Sequence, residues 1–338
     1  GEEFGQTAVA TAFGPLASVP LVREKPVYSP ETYAFFGLAG ATGCALTHTV
    51  VIPLDVVKTR AQTDPTVTGT SSMLNVGAKI VETEGIQGLL LGAQATIAGY
   101  SWYGASVYPS YTFFKRVLSQ DILPSDCTMA HGNEIALVAG ALAAVVASLG
   151  LTPLEAARIR VVANPDVYRP LGLTGTMGVI ASEEPTGWIN LYAGLSSLLT
   201  RQVIFGSVKF LAFERACELL FALWPFLRDA TWTALGVSLA AGGFAGVFAS
   251  IVSQPADSIL TYVAKGSRDG TSLGLLEGAR QMVEDEGPGS LFRGLGSRCV
   301  WAGSIIAGQF LLYDIFRTLF GVNSDDLSQV YQLLIPES

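Results

Sequence analysis

The sequence predicts an all-α membrane protein, with six transmembrane helices in three pseudo-repeats of about 100 residues. Three observations carry that expectation. Of the 338 residues, Lys+Arg supply 20 and Asp+Glu 28, a charged share of 14% where soluble chains hold about 25%. Stretches without Asp, Glu, Lys or Arg run 33–54, 93–114, 135–154 and 230–256, each reaching the ~20 residues a helix needs to cross a hydrocarbon core. Finally, a Pro-x-acid string recurs at Pro53, Pro153 and Pro255.

The elements follow in chain order. Residues 1–30 hold Glu2, Glu3, Glu24, Pro15, Pro20 and Pro26 and read as an extended N-terminal arm, too acidic and too poor in arginine for an organellar transit peptide. The first span leads to Pro-Leu-Asp-Val-Val-Lys-Thr-Arg at Pro53, the third to Pro-Leu-Glu-Ala-Ala-Arg-Ile-Arg at Pro153, and the fifth to Pro-Ala-Asp-Ser-Ile-Leu-Thr-Tyr at Pro255. A second landmark keeps the rhythm, with Glu84-Gly85, Glu184-Pro185 and Glu286-Gly287 followed by Gly92, Gly194 and Gly294. Each repeat is therefore a spanning helix ending in Pro-x-acid, a polar segment and a second spanning helix, giving repeats at 31–125, 126–228 and 229–321. The fourth and sixth spans, 202–224 and 299–320, are interrupted by Lys209, Glu214, Arg215 and Glu218 and by Asp314 and Arg317. Ionisable groups at membrane depth face a wet cavity or partners, so these two helices are expected to line something polar. The tail, 322–338, ends in an apolar run from Val330 that is suited to docking on a neighbour or to fraying.

The prolines remove a backbone donor and kink their helices, so that three helices converge and close one end of a cavity. Asp55 with Lys58 and Glu155 with Arg158 are placed to pair between neighbouring helices as a gate. Asp257 has Leu260 where the third base belongs, so at most two such pairs are expected. At the other end an aromatic-acid-x-x-base pattern is complete at Tyr313-Asp314-Ile315-Phe316-Arg317. It is partial at Phe213-Glu214, with Cys217 at the base, and at Tyr111-Thr112 with Lys115. Charges near a membrane boundary often only mark that boundary; the triple register favours a gate.

Other classes find little support. Cys44, Cys127, Cys217 and Cys299 lie far apart without C-x-x-C, and His48 and His131 are the two histidines. Neither a zinc cage nor a disulfide framework is suggested, and no metal or cofactor is expected. A net charge of −8 disfavours nucleic-acid binding. No nucleophile–base pair suggests an enzyme.

These residues resemble the mitochondrial carrier family, whose signature P-x-[DE]-x-x-[KR]-x-[KR] occurs three times, and the likeness covers roughly residues 30–320. Within it the phosphate-transporting branch is most similar, through Leu46-Thr-His-Thr-Val-Val-Ile-Pro with Gln62 and Asp64-Pro65, Arg201-Gln-Val, Lys209-Phe-Leu-Ala-Phe-Glu-Arg, Val252-Ser-Gln-Pro-Ala-Asp-Ser, and Gly294-Leu-x-x-Arg298 leading to Gln309. The resemblance implies import of phosphate or a similar anion across the mitochondrial inner membrane, with a plastid membrane as the alternative. Transport would proceed by alternating access, proton-coupled or by exchange. It implies an anion site of Lys209, Arg298, Gln309, Thr59 and Tyr103, and proton coupling through His48, Asp55 and Asp257. Gate pairs would come from Asp55, Lys58, Glu155, Arg158, Asp257, Lys115, Glu214, Asp314 and Arg317. It also implies lipid contacts, cardiolipin among them, at glycine-rich elbows such as Phe292-Arg293-Gly294.

The departures are specific. Tyr103 stands where the branch has glutamine and Val107 where it has a lysine facing the anion. Ala144 and Ser148 replace two carboxylic acids implicated in proton coupling. Each lost charge-assisted bond is worth roughly 1.5–3 kcal/mol, so anion binding is weakened without being abolished. Lys209 also admits a snorkelling reading and His48 a purely structural one. Two functions therefore stay open: an anion transporter, or a transport-impaired relative built into a larger membrane complex through its two ends.

Overall fold

The computed structural model describes residues 29–63, 73–124, 131–228, 230–268, 275–292 and 295–319. The N-terminal arm, the tail, Asp64, Pro65, Arg293 and Gly294 lie outside them, as do the side chains of Lys58, Thr59 and Gln62. The described residues are almost all helical and contain no strand.

Nine helices are named here: α1 (Pro30–Thr63), α2 (Met73–Glu84), α3 (Ala93–Arg116), α4 (Gly132–Ala163), α5 (Gly172–Ser182), α6 (Leu195–Leu223), α7 (Thr231–Arg268), α8 (Leu275–Glu286) and α9 (Leu295–Leu319). They fall into three triplets, each a long helix, a short helix and a second long helix. The segment read as merely polar in each repeat thus folds as a short helix followed by a 3₁₀ turn, at Ile86–Leu90, Gly187–Tyr192 and Pro288–Phe292. Proline is favoured at the first position of a helix because that N–H is unsatisfied anyway, and Pro30 opens α1 this way. The Ser29 hydroxyl accepts from the Thr32 amide at 3.2 Å and caps it.

The long odd helices do not stop at their Pro-x-acid strings. Pro53, Pro153 and Pro255 sit inside α1, α4 and α7, which run on to Thr63, Ala163 and Arg268. What the sequence suggests as a terminus is an interior site, because a proline well inside a helix removes one hydrogen bond while packing sustains the rest.

The six long helices form a ring in which each packs on the next in chain order and α9 closes on α1. Small residues allow it, as expected where lipid supplies no hydrophobic drive between helices. Gly40 on α1 and Gly104 on α3 face each other so closely that a Cβ on either would run into the other's carbonyl oxygen. In the second repeat a Cβ on Gly140 would lie 2.8 Å from Ser207 Cα, and in the third one on Gly242 would lie 3.0 Å from Ala307 Cα. The first member of each contact, Gly40, Gly140 and Gly242, keeps the 100- and 102-residue register of the prolines.

The same register fixes the short helices. Arg60 Nη2 lies 2.8 Å from Glu84 Oε1. Arg160 holds Glu183 with two bonds of 2.8 and 2.9 Å, and the Tyr262 hydroxyl donates to Asp285 Oδ2 at 2.7 Å. The last position of each eight-residue string thus latches the end of its long helix to the end of the following short one.

Among the described residues four helices are, by length and composition, apolar enough to cross a membrane: Pro30–Val57, Gly132–Ala163, Trp232–Leu260 and Arg298–Leu319. α3 and α6 fall short because they carry tyrosines and serines or Lys209 and Glu214 on faces turned into the ring, and bundle burial rather than hydropathy keeps them there.

Candidate functional site

Three layers of polar and aromatic side chains stack inside the ring. The first lies at the signature end. Arg158 bonds Glu155 on its own helix through Nε at 2.9 Å and Nη2 at 2.5 Å, and its Nη1 lies 3.9 Å from Asp55 Oδ2 on α1. The expected interhelical pairing of Glu155 with its neighbour is therefore replaced by an intrahelical one. Three residues apart on a helix is close enough for a guanidinium to fold back, and the link between helices is Arg158 to Asp55.

The third acid does find a base, contrary to the limit of two pairs. Arg298 on α9 forms a close ion pair with Asp257 on α7, and its other N–H groups donate to Gln254 Oε1 at 3.2 Å and Ser253 Oγ at 2.8 Å. Leu260 is not missed because the base arrives from the partner helix of the same repeat, a contact that no spacing along the chain announces. Arg298, expected at the anion, is thus held at the signature layer.

The central layer is built on the inner stripe of α3. Tyr100, Tyr103, Val107 and Tyr111 follow one another at three- or four-residue steps, which places them on one helix face. Tyr100 stacks on His48 with ring centroids 3.3 Å apart. His48 Nδ1 lies 3.0 Å from the Cys44 carbonyl; a carbonyl only accepts, so this nitrogen carries the proton and donates. Gln309 on α9 lies 3.4 Å from the same nitrogen, and its other terminal atom is buried with no hydrogen-bond partner among the described residues. Lys209 on α6 is buried, with Nζ 5.4 Å from the Tyr103 ring, 5.9 Å from Tyr108 and 4.5 Å from Phe210. Among the described residues no carboxylate pairs with it. Rings around a desolvated cation offer their negative faces, about 2 kcal/mol when water is excluded. This buried position argues against snorkelling. Val107 is fully buried in the same cluster.

The third layer closes the opposite end. Tyr108 stacks on Tyr313, Tyr111 on Phe210 and Phe213 on Phe310. Beyond them Lys115 on α3 meets Glu214 on α6 at 2.5 Å, and the Tyr111 hydroxyl donates to the same carboxylate at 2.9 Å. Asp314 and Arg317 stand 3.7 Å apart on one helix, not between helices, because Thr112 and Cys217 remove the charges each would have met. The Ser238 hydroxyl from α7 donates to Asp314 instead. Arg215 and Glu218 pair with each other on the outer face rather than lining the interior, since Arg215 is half exposed. Side chains of the signature layer keep 14–20% of their surface exposed; at the opposite end Lys115 keeps 18%, but Glu214, Asp314 and Arg317 keep 0–1% and Tyr108, Tyr111, Phe213, Phe310 and Tyr313 are fully buried. The ring is therefore shut at the end away from the prolines and more open at the signature end.

The neutral replacements also have a place. Ala144 on α4 faces Gly206 on α6, where a Cβ added to the glycine would come within 3.1 Å of the alanine methyl. The Ser148 hydroxyl is buried without a partner among the described residues. Trp102 lies in a notch at Gly150 and donates its indole N–H to the Ala147 carbonyl at 3.2 Å. Trp102, Tyr108, Phe210 and the close-packed glycines are not singled out by the sequence; the 100- and 102-residue spacing of Gly40, Gly140 and Gly242 is the available signal for the glycines. Of the proposed lipid elbow, Phe292 is described and half exposed.

Comparison with known proteins gives the family. Residues 31–121, 134–222 and 231–324 each match the family described as mitochondrial carrier protein. The chain is 34% identical over 300 residues to mitochondrial substrate carrier family protein N of Dictyostelium discoideum, covering 87% of this chain and 97% of that one. It is 30% identical over 313 residues to the probable mitochondrial phosphate carrier protein of Schizosaccharomyces pombe, covering 90% and 98%. To mitochondrial phosphate carrier protein 3 of Arabidopsis thaliana it is 34% identical over 302 residues, covering 88% and 76%.

Proposed function

The chain belongs to the mitochondrial carrier protein family, and from that premise we propose that it carries inorganic phosphate, or an oxyanion of similar size, by alternating access. It is a transport protein of the mitochondrial inner membrane that spans it several times, which sets the plastid alternative aside. The observation that carries the substrate reading is Lys209, a cation buried at the centre of the ring, free of described carboxylates and bracketed by two ion-pair layers. An anion there supplies the counter-charge the lysine lacks, and a buried charge without one is costly.

The path follows from the layers. An anion arrives from the signature end in the conformation described here. It meets Lys209 with Gln309 and the hydroxyls of Tyr103 and Tyr108 as hydrogen-bonding groups. Its charge then offsets the cost of breaking Lys115–Glu214 and parting the aromatic stack, while Asp55–Arg158, 3.9 Å apart here, tightens behind it beside the Asp257–Arg298 pair already in place. Opening one end thus requires the other to close, the condition for transport without a leak. In this reading His48 takes part in proton coupling from its place beside Gln309, and Asp55 and Asp257 act through the gate. Thr59 belongs to the same proposed site and Lys58 to the gate. The same reading extends to cardiolipin at the elbow of Phe292, Arg293 and Gly294 and to further subunits bound by the two ends.

The test is uptake of labelled phosphate by proteoliposomes, with and without an imposed pH gradient. Saturable uptake that fails in Lys209→Ala supports the assignment; uptake unchanged by that substitution removes Lys209 from the site. No uptake by folded wild-type protein favours the structural-subunit reading, for which the neutral Val107, Ala144 and Ser148 speak.

A further inference from the structure

We infer that the turn between α6 and α7 is an anchor in the headgroup layer of the bilayer, held there by Trp224, Phe226 and Trp232. This requires only that the chain spans a membrane, and holds whichever solute is carried. Leu219 and Leu223 near the end of α6, Trp224 and Phe226 in the turn and Trp232 at the start of α7 are 47–83% exposed. Among the described side chains of this turn none is charged. A contiguous exposed apolar patch marks a surface that something covers. The turn after α3, at the same end of the ring, keeps Asp121 and His131 exposed, so the patch is particular to α6 and α7.

What covers it follows from continuity. Beyond Trp232 the outer face of α7 carries Leu239, Phe244 and Phe248, each about half exposed, within the stretch Trp232–Leu260 that is apolar enough to span. The patch is the end of that lipid-facing stripe. Depth agrees. The 29 residues of α6, at 1.5 Å each, make a helix about 44 Å long. A bilayer measures about 30 Å across its hydrocarbon core and about 40–45 Å with both headgroup layers, so the last turn of α6 lies at headgroup depth. The half-exposed Arg215–Glu218 pair on the same helix stands one to two turns deeper. A water boundary drawn at those charges would leave the whole apolar patch in solvent.

The backbone fixes the depth from the other side. Pro225–Arg228 form a 3₁₀ turn between the two helices, and the amides and carbonyls such a turn leaves outside a helical ladder are not tolerated against hydrocarbon. The apolar side chains thus exclude bulk water and the backbone excludes the membrane core. The headgroup layer accepts both, and tryptophan collects there because its ring is apolar and its N–H is a donor. The turn is also built to hold this pose. The Thr233 hydroxyl lies 2.8 Å from the Leu227 carbonyl and 2.7 Å from that of Ala230, and Leu227 packs against the core, leaving Trp224 and Phe226 outside.

The experiment is fluorescence quenching in phosphatidylcholine vesicles, on wild type and on Trp224→Phe/Trp232→Phe, whose difference reports these two indoles. Phosphatidylcholine brominated close to the headgroup is expected to quench that difference at least about twofold more than lipid brominated near the chain end, and aqueous iodide to quench it at least about threefold less than it quenches N-acetyltryptophanamide, the pattern of an indole at the interface. Iodide quenching equal to that of N-acetyltryptophanamide places the indoles in water and overturns the inference. Stronger quenching by the deep bromine sinks them into the core and overturns it too. Protection from every quencher means that protein covers the turn, which is a third refutation. Should the double variant fail to fold, wild type against Trp232→Phe alone gives the same reading, since a side chain 83% exposed contributes little packing.

Discussion

Replacing Glu214 by glutamine tests the closed end of the ring most directly. Glutamine keeps the shape and can still accept from the Tyr111 hydroxyl, but the charge facing Lys115 is gone. That bond, at 2.5 Å, is the one ion pair joining two helices at this end among the described residues, since Asp314 and Arg317 share a helix. A charge-assisted bond contributes about 1.5–3 kcal/mol. The lower figure applies because Lys115 keeps 18% of its surface in solvent and water screens part of its loss. About 1.5 kcal/mol is roughly tenfold in the ratio of closed to open forms. A reporter is already in place, because Cys217 lies one turn beyond Glu214 and is buried. With Cys44, Cys127 and Cys299 changed to serine, a polar maleimide applied in mild detergent should modify Cys217 about tenfold faster in Glu214→Gln. A rate equal to that of the parent, with full reaction after denaturation, would refute the reasoning that Lys115–Glu214 holds this end shut.

Other perturbations separate site from scaffold. Lys209→Ala should abolish phosphate uptake while leaving the thermal midpoint within a few degrees, and a collapse of the midpoint would reassign the lysine to stability. Gly104→Ala should lower the midpoint by several degrees, because overpacking against backbone costs about 1–3 kcal/mol or more. Gly178→Ala, whose added methyl meets nothing, should leave it unchanged or raise it; equal effects at the two glycines would count against the close crossing of α1 and α3. Asp257→Asn should weaken uptake more than Asp285→Asn does, since Asp257 holds Arg298 inside the ring whereas Asp285, which bonds Tyr262, is itself exposed; transport assays of both variants decide it.

Much of this molecule was legible in one dimension because a bilayer imposes simple rules on a chain. Apolar runs of about 20 residues must span, and three strings in a 100- and 102-residue register require three like units. The strings also placed Asp55, Glu155, Arg158 and Asp257 at one end and Lys115, Glu214, Asp314 and Arg317 at the other, where the structure has them. Pairing between neighbouring helices, as the sequence suggests, holds for Asp55 with Arg158 and for Lys115 with Glu214. The sequence did not announce that Arg158 also folds back on Glu155, that Asp257 takes Arg298 from α9, or that Asp314 takes a serine hydroxyl from α7.

That division has a physical cause. Burial in lipid and helix periodicity act through neighbours along the chain, so composition and spacing determined the spans, the repeats and the level of each charge in the membrane. Ion pairs, stacked rings and glycine crossings depend on distances between residues from 41 (Asp257–Arg298) to 261 (His48–Gln309) apart in sequence, and those distances follow from how the ring closes. Lys209 was visible as an oddity in the fourth span. Only the tertiary structure put Tyr103 and Tyr108 beside it, because the cage is made where α3 meets α6, and no single helix records the meeting.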